Sequence, residues 1–416
     1  MFARTIGSLM LLTALAGCGG GGSGGSSSAT GGSTAPVAPT PVVPPTPTGA
    51  PITGLSSTAV ATFAAPWSMA FLPDGRLLVT ERVTSRYQSG TLSIVTPQGV
   101  IASLTGLPSN YGMLDVVLHP RFSINHLIYF SFLDPGDAST PRTGAGAADT
   151  TIPPAGLAVA TATLTFNAAG VGTLGDVKVI WRQTPKIVSL PGSGEPGGRL
   201  AFSPDETYLF IAAGDRQEMA PVQQLDNTLG KMIRLNADGS IPTNNPFVTR
   251  TGALPEIWTL GHRNAYGLAF DPNGRLWSSE MGPMGGDEFN LIESAGNYGW
   301  PLVSYGSAYS GGKVYTDPKP GDGFVAPATY WTPVIAPAGM IFYTGTMFGD
   351  WRGDAILTGL QSKGLVRVRL SGTTAAEVQR LSLGARIRGI AQGPDGALWV
   401  LEDAPTGRLL KLTPIF

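Results

Sequence analysis

Leu268-Ala-Phe-Asp-Pro-Asn-Gly-Arg-Leu-Trp-Ser-Ser-Glu280 runs from apolar residues through a Pro-Asn-Gly turn into a second β-rich run. That order reads as a strand, a tight turn and another strand. It recurs as Trp67-Ser-Met-Ala-Phe-Leu-Pro-Asp-Gly-Arg-Leu-Leu-Val-Thr-Glu81, as Leu200-Ala-Phe-Ser-Pro-Asp-Glu-Thr-Tyr-Leu-Phe-Ile-Ala-Ala-Gly-Asp215, and as Ile390-Ala-Gln-Gly-Pro-Asp-Gly-Ala-Leu-Trp-Val-Leu-Glu402. Two looser copies are Leu114-Asp-Val-Val-Leu-His-Pro120 leading to Ile128-Tyr-Phe-Ser131, and Met340-Ile-Phe-Tyr343 leading to Asp354-Ala-Ile-Leu-Thr358. Repetition on this scale means a solenoid or a propeller, and no long 3.6-residue period supports helical repeats. Six copies at roughly 60 residues each suit four-stranded blades with generous loops. The fold expected for residues 57–416 is therefore all-β, a six-bladed β-propeller. A pair of β-sandwiches would have to produce the repeated turns by coincidence.

The bulk composition agrees. Gly (57) and Pro (35) are abundant among 416 residues, so turns are frequent, and only 13% of residues are charged. With 27 Lys+Arg against 28 Asp+Glu, the chain lacks the basic excess of a nucleic-acid binder. A single cysteine excludes an intrachain disulfide and a thiolate metal cluster.

That cysteine has a context of its own. Arg4, the apolar run Ile6–Leu15 and then Leu15-Ala16-Gly17-Cys18 form an export signal over residues 1–17, too short to span a bilayer. Leu-Ala-Gly-Cys resembles the bacterial lipobox, which makes Cys18 the expected site of lipidation. Gly19 follows it where an Asp would argue for inner-membrane retention. A periplasmic protein anchored by lipid to the outer membrane is expected, touching the membrane through that anchor alone. Residues 18–56, rich in Gly and Ser and then in Pro and Thr, read as a disordered tether.

Chemistry concentrates in three pieces: Gly261-His-Arg-Asn-Ala-Tyr-Gly267, Glu280-Met-Gly-Pro-Met-Gly-Gly-Asp-Glu-Phe-Asn290 and Gly296-Asn-Tyr-Gly-Trp-Pro301. Free carbonyls beside the carboxylates Asp287 and Glu288 suit a hard cation such as Ca²⁺, although Gly-Gly-Asp-Glu alone also reads as a solvated turn. Arg386 and Arg388 alternate, so both point to one face of a strand. The three histidines, His119, His126 and His262, show no metal spacing and read as structural.

Taken together, these pieces resemble the soluble aldose and sorbosone dehydrogenase family, six-bladed propellers that bind pyrroloquinoline quinone (PQQ) with calcium. The resemblance runs from Trp67 to about Leu409. It includes Gly198-Arg199, Leu229-Gly-Lys-Met-Ile-Arg-Leu235, Asp238-Gly-Ser-Ile-Pro242 and Arg386-Ile-Arg388. It implies cofactor contacts at Arg263, Asn264, Tyr309, Arg386 and Arg388, and arginine forks suit a tricarboxylate. It also implies cofactor calcium at the carbonyls of Gly282 and Pro283, and a second calcium position at Glu288 and Tyr298.

The chain departs from the family pattern at three places. Glu195 stands where the family has its histidine base, Gln361 where a cofactor lysine is expected, and Asn110 where a glutamine is expected. Asp215 matches the residue that supports the histidine. Two neighbouring carboxylates cannot both ionise cheaply, so one of the pair should titrate nearer neutrality, making Glu195 a candidate base and Asp215 its tuning partner. The activity implied is hydride transfer from a sugar or related alcohol to PQQ, with electrons leaving to an unidentified periplasmic acceptor. A silent carbohydrate-binding propeller and a calcium-dependent lactonase are the alternatives.

Overall fold

Each Pro-Asp-Gly phrase folds as a hairpin corner between the first two strands of a blade. Leu72 N–H donates to Arg76 O (2.7 Å) and Gly75, at φ 86°, donates back to Leu72 O (2.9 Å). Asp271–Arg275 with Gly274 and Gly393–Ala397 with Gly396 repeat the same pair of bonds. Glu206 occupies the equivalent corner without glycine and itself takes a positive φ, 63°, a conformation that ordinarily favours glycine.

The computed structural model describes residues 51–82, 89–137, 139–189, 194–313 and 316–416. The export signal, Cys18 and the tether up to residue 50 lie outside the described residues. Six four-stranded antiparallel sheets follow one another. Their innermost strands are Pro66–Phe71, Met113–Leu118, Gly197–Phe202, Ala265–Phe270, Pro337–Phe342 and Ile387–Gln392, for blades 1 to 6 in order. The two looser sequence copies are thus the inner hairpins of blades 2 and 5. Blade 6 takes its outermost strand from the other end of the chain: Gly54–Ala64 pairs with Thr406–Ile415. That strand starts at Gly54, so its first three residues fall in the stretch read above as tether.

Six apolar clusters fill the seams between blades. Leu78 and Ile94 of blade 1 meet Val116 and Phe130 of blade 2; Trp277 and Phe289 of blade 4 meet Met340 and Leu357 of blade 5; Trp399 and Leu401 of blade 6 meet Met69 and Val79 of blade 1. Burial of this kind stabilises by about 25 cal/mol per Å² of apolar surface.

The channel is closed by polar contacts across it. Asp115 of blade 2 accepts bonds from Ser68 Oγ of blade 1 (2.5 Å) and, in blade 3, from Leu200 N–H (2.9 Å) and Arg199 Nη1 (3.0 Å). Arg199 Nε donates to Tyr266 O of blade 4 (2.7 Å) and Nη2 reaches Arg388 O of blade 6 (3.4 Å), with its guanidinium 4.0 Å over the Trp67 ring. One buried arginine thereby ties together five blades.

Candidate active site

The ends of the second strands and the starts of the inner strands meet at one face, so residues far apart in sequence converge there. A cavity of about 810 Å³ opens at that face, lined by Glu195, Arg263, Asn264, Gly282, Pro283, Tyr309, Gln361 and Arg388 among others. These are eight of the residues singled out from the sequence.

Arg263 sits just before the inner strand of blade 4 and is nearly buried. Its Nη1 donates to Met281 O (3.0 Å) and Gly282 O (2.8 Å), and its Nη2 to Glu195 Oε1 (2.5 Å), with Tyr309 Oη at 3.5 Å. Glu195 has a positive φ of 52° and keeps its other oxygen, Oε2, buried without a hydrogen-bond partner. Asn264 Oδ1 accepts from Gly197 N–H (3.1 Å), which pins the loop carrying Glu195. The loop that presents Gly282 is too tight for a side chain, since a Cβ there would lie 2.2 Å from Gly285 O.

A second cavity of about 280 Å³ is lined by Glu195, Asp215, Gln217, Arg263, Trp300 and Tyr309, among others. Asp215 is fully buried, accepting from Trp300 Nε1 (2.8 Å) and Gln217 N–H (2.8 Å). Burial first, and then the negative charge of Glu195 beside it, raise Asp215 well above the ordinary carboxylate range. Of the two carboxylates, Asp215 is therefore the one pushed towards its protonated form, while Glu195 is paired with Arg263. Asp287, in the wall of the main cavity, is pushed up to about 6 by burial, against the backbone N–H groups of Ala336, Gly282 and Ile335 that it accepts from.

Glu288 and Tyr298 line a third, very small cavity of about 10 Å³ together with Glu280, room for a single ion or water. Burial and then Glu280 push Glu288 up to about 8. Asn290 Nδ2 donates to Glu280 Oε1 (2.8 Å) and Glu288 Oε2 (3.1 Å), leaving its own Oδ1 buried without a partner. The Tyr298 hydroxyl is spent on Leu291 O (2.6 Å), so only the backbone of Tyr298 is free to face an ion. Among the described residues no three His, Cys, Asp or Glu side chains converge as a metal site; carbonyl oxygens would have to complete either set. His262 bridges Thr259 Oγ1 (2.8 Å) and Glu280 Oε1 (3.1 Å).

Two expected contacts are not brought to the main cavity. Asn110 is buried with its Oδ1 accepting from Gly90 N–H (2.7 Å) and Gly112 N–H (2.9 Å), so its amide pins loops. Arg386 precedes its strand, is 46% exposed, and pairs with Asp403 Oδ2 (2.7 Å). Arg388, 6% exposed, reaches the cavity and pairs with the other oxygen of the same carboxylate (2.5 Å). Alternation does put both arginines on one side, but only the inner one on the cavity wall.

Sequence reasoning missed Asp403 and its third partner, Arg82, whose Nη2 lies 3.2 Å from Asp403 Oδ1. Both residues follow directly on the glutamate that ends a repeat, Glu81 and Glu402, which was the available signal. Burial opposes ionisation of Asp403, yet Arg388 and its fellows outweigh it and hold the group down at about 2. Because the folded value lies below the ordinary 3.8, this contribution is present above pH 3.8 and is lost as pH falls through about 2. Asp403→Asn should cost about 2 kcal/mol in urea denaturation at pH 6, with the gap to wild type closing towards pH 2; a gap that persists there would contradict the ion-pair account.

The Glucose / Sorbosone dehydrogenase family profile matches residues 63–411. The chain belongs to this family. The aldose sugar dehydrogenase YliI of Escherichia coli is 36% identical over 364 residues, covering 84% of this chain and 90% of that protein. The crystal structure of the soluble E. coli aldose sugar dehydrogenase in its apo form superposes with a TM-score of 0.75 at 34% identity, covering 87% of this chain and all of that one. The PQQ-bound aldose sugar dehydrogenase of Streptomyces coelicolor superposes with a TM-score of 0.65 at 26% identity, covering 88% of this chain and all of that one. The family is one of oxidoreductases, and its matched fold is the six-bladed propeller described above.

Proposed function

We propose that the chain oxidises an aldose, or a related alcohol, by hydride transfer to PQQ held with calcium in the 810 Å³ cavity. The observation that carries this reading is Arg388, which lines the cavity with Nη1 buried and unpartnered. A buried donor without an acceptor is costly, and a ligand carboxylate removes that cost with a charge-assisted bond. PQQ bears three carboxylates. Arg263, Asn264 and Tyr309 flank the same space; the Pro283 carbonyl, and that of Gly282 once Arg263 gives up its bond to it, would hold the calcium that accompanies it. At the third cavity, Glu288 and Glu280 with the Tyr298 carbonyl suit a second calcium.

When bound, PQQ supplies the hydride acceptor and its calcium a Lewis acid. The chain's own residues handle the proton. Glu195 Oε2 would take it from the sugar hydroxyl. Arg263 holds Glu195 in place, and neutral Asp215, fixed by Trp300, keeps a second negative charge out of the pocket. Gln361 lines the cavity where the family's lysine would add a charge, so the cofactor is gripped with one cation fewer.

Reconstitution of the full chain, purified in detergent, with PQQ and Ca²⁺ tests the activity. Dye reduction with at least one member of an aldose panel is expected; none with any member would favour a silent sugar-binding pocket, the reading that the replacements at Glu195 and Gln361 leave open. We place the protein in the periplasm on a lipid at Cys18, its electrons passing to an acceptor there; membrane fractionation of wild type against Cys18→Ser checks the anchor.

A further inference from the structure

Arg216 follows directly on Asp215 and is buried, only 5% exposed. Burial pulls it down only to about 10, so the guanidinium is charged at neutral pH. Buried charges are ordinarily paired with an opposite charge, yet the bonds of this side chain go to neutral oxygens. Nε donates to Gly194 O (3.2 Å), Nη1 to Ala155 O (3.1 Å) and Nη2 to Ser189 Oγ (2.7 Å). Gly194 and Ser189 lie on the approach to Glu195, and Ala155 opens the third strand of blade 2, Ala155–Phe166. The backbone adds to this grip. Arg216 N–H donates to Glu195 O (3.3 Å), Gly214 N–H to Pro196 O (3.0 Å) and Asp215 N–H to Arg263 O (2.8 Å). A Cβ on Gly214 would collide with Glu195 O. Glu195, Arg216 and Gln217 all take positive φ (52°, 58° and 63°), a conformation that other residues than glycine keep only where their surroundings over-determine it.

We propose that Arg216 is the positioning residue for Glu195: it fastens Ser189 and Gly194 to blade 2 and so sets where the carboxylate points. This rests on the reading of Glu195 as the base and adds to it the group that aims it. Arg263 fixes the tip of the Glu195 side chain through Oε1, and Arg216 fixes its root. With both ends held, the second oxygen is left one direction to face. A base must come within hydrogen-bond reach of the proton it takes, and a misplacement of about 1 Å can cost about 100-fold in rate. The guanidinium suits this task because its planar fork presents separate donors to separate oxygens. A lysine ammonium gathers its donors at one point and does not reproduce the fork.

The test has two readouts in the full-length, detergent-purified protein. In the cofactor-free form, Arg216→Lys is expected to speed amide exchange at Gly197 and Gly214, both hydrogen-bonded in this corner, about tenfold or more. Exchange at the wild-type rate would overturn the proposal. With PQQ and Ca²⁺ bound, the same variant is expected to lower kcat of dye reduction about tenfold to 100-fold. PQQ affinity, read by quenching of tryptophan fluorescence, should stay within about threefold of wild type, because Arg216 is bonded to the chain and not turned to the cofactor. In a Glu195→Gln background Arg216→Lys is expected to cost less than about twofold more, since residues that act as a unit are not additive. A loss of the same size in both backgrounds would mark general support of the fold and overturn the proposal. Ser189→Ala removes one of the three bonds and is expected to lower kcat about threefold, with the same dependence on Glu195; it decides the matter should Arg216→Lys fold poorly. An unchanged kcat in Arg216→Lys beside a large loss in Glu195→Gln overturns the proposal alone. If Glu195→Gln keeps the wild-type rate, the base reading falls and the proposal with it.

Discussion

Glu195→Gln should lower turnover of the PQQ-loaded protein by about 10² to 10⁴-fold, the usual worth of a positioned general base, while leaving PQQ bound at least as tightly. The two halves of that expectation come from the two oxygens of one side chain. Oε2, the oxygen Arg263 does not hold, is the one left to take a proton, and the amide cannot. Oε1 is tied to Arg263 at 2.5 Å, and neutralising it frees the guanidinium for a cofactor carboxylate. Steady-state dye reduction and a parallel PQQ titration separate the effects. A rate within threefold of wild type would remove Glu195 from the chemistry. A rate loss matched by an equal loss of PQQ affinity would recast it as a binding residue.

The second large effect concerns the scaffold. Arg199→Met should cost about 3–5 kcal/mol in urea denaturation, the range for stripping a buried charge of its partner. Asp115 would be left with only Ser68 Oγ and Leu200 N–H, at a side chain only 5% exposed. The loss should be partly repaired in the double variant Arg199→Met, Asp115→Leu, because an apolar pair of similar volume is often as stable as a buried ion pair. A single-variant loss below about 1 kcal/mol would contradict the view that this arginine staples the blades. The site should feel the change as well, since Arg199 supports the main-chain oxygen of Arg388 from beneath.

Most of the scaffold can be read from the chain because a propeller repeats its hairpin corner. Pro-Asp-Gly turns in two blades, with Pro-Asn-Gly and Pro-Asp-Glu in two more, mark inner strands, and blades 2 and 5 keep the apolar runs after losing the turn residues. The closure of blade 6 is not legible: Gly54–Ala64 meets its partner only through contacts with Thr406–Ile415 at the far end of the chain, and nothing local in Gly-Leu-Ser-Ser announces that pairing.

At the site, residues within recognisable motifs were found, and those defined by their neighbours were not. Arg263 and Arg388 stand in such motifs and line the cavity. Asn110 was chosen by position, but its amide is consumed by two loop N–H groups. The Glu195–Asp215 pairing followed from the family resemblance, yet which of the two is raised depended on depth of burial and on the pairing of Glu195 with Arg263. Arg82 and Asp403 carry no motif of their own, and their meaning lies in a meeting of blades 1 and 6 that sequence spacing does not encode.

The most direct test of a quinone held by guanidiniums at the channel mouth is a crystal structure of the protein with PQQ and Ca²⁺. The account predicts cofactor carboxylates within hydrogen-bonding distance of Arg388 Nη1 and Arg263, beside the Gly282 loop. PQQ bound elsewhere, or Arg388 turned away from it, would contradict it.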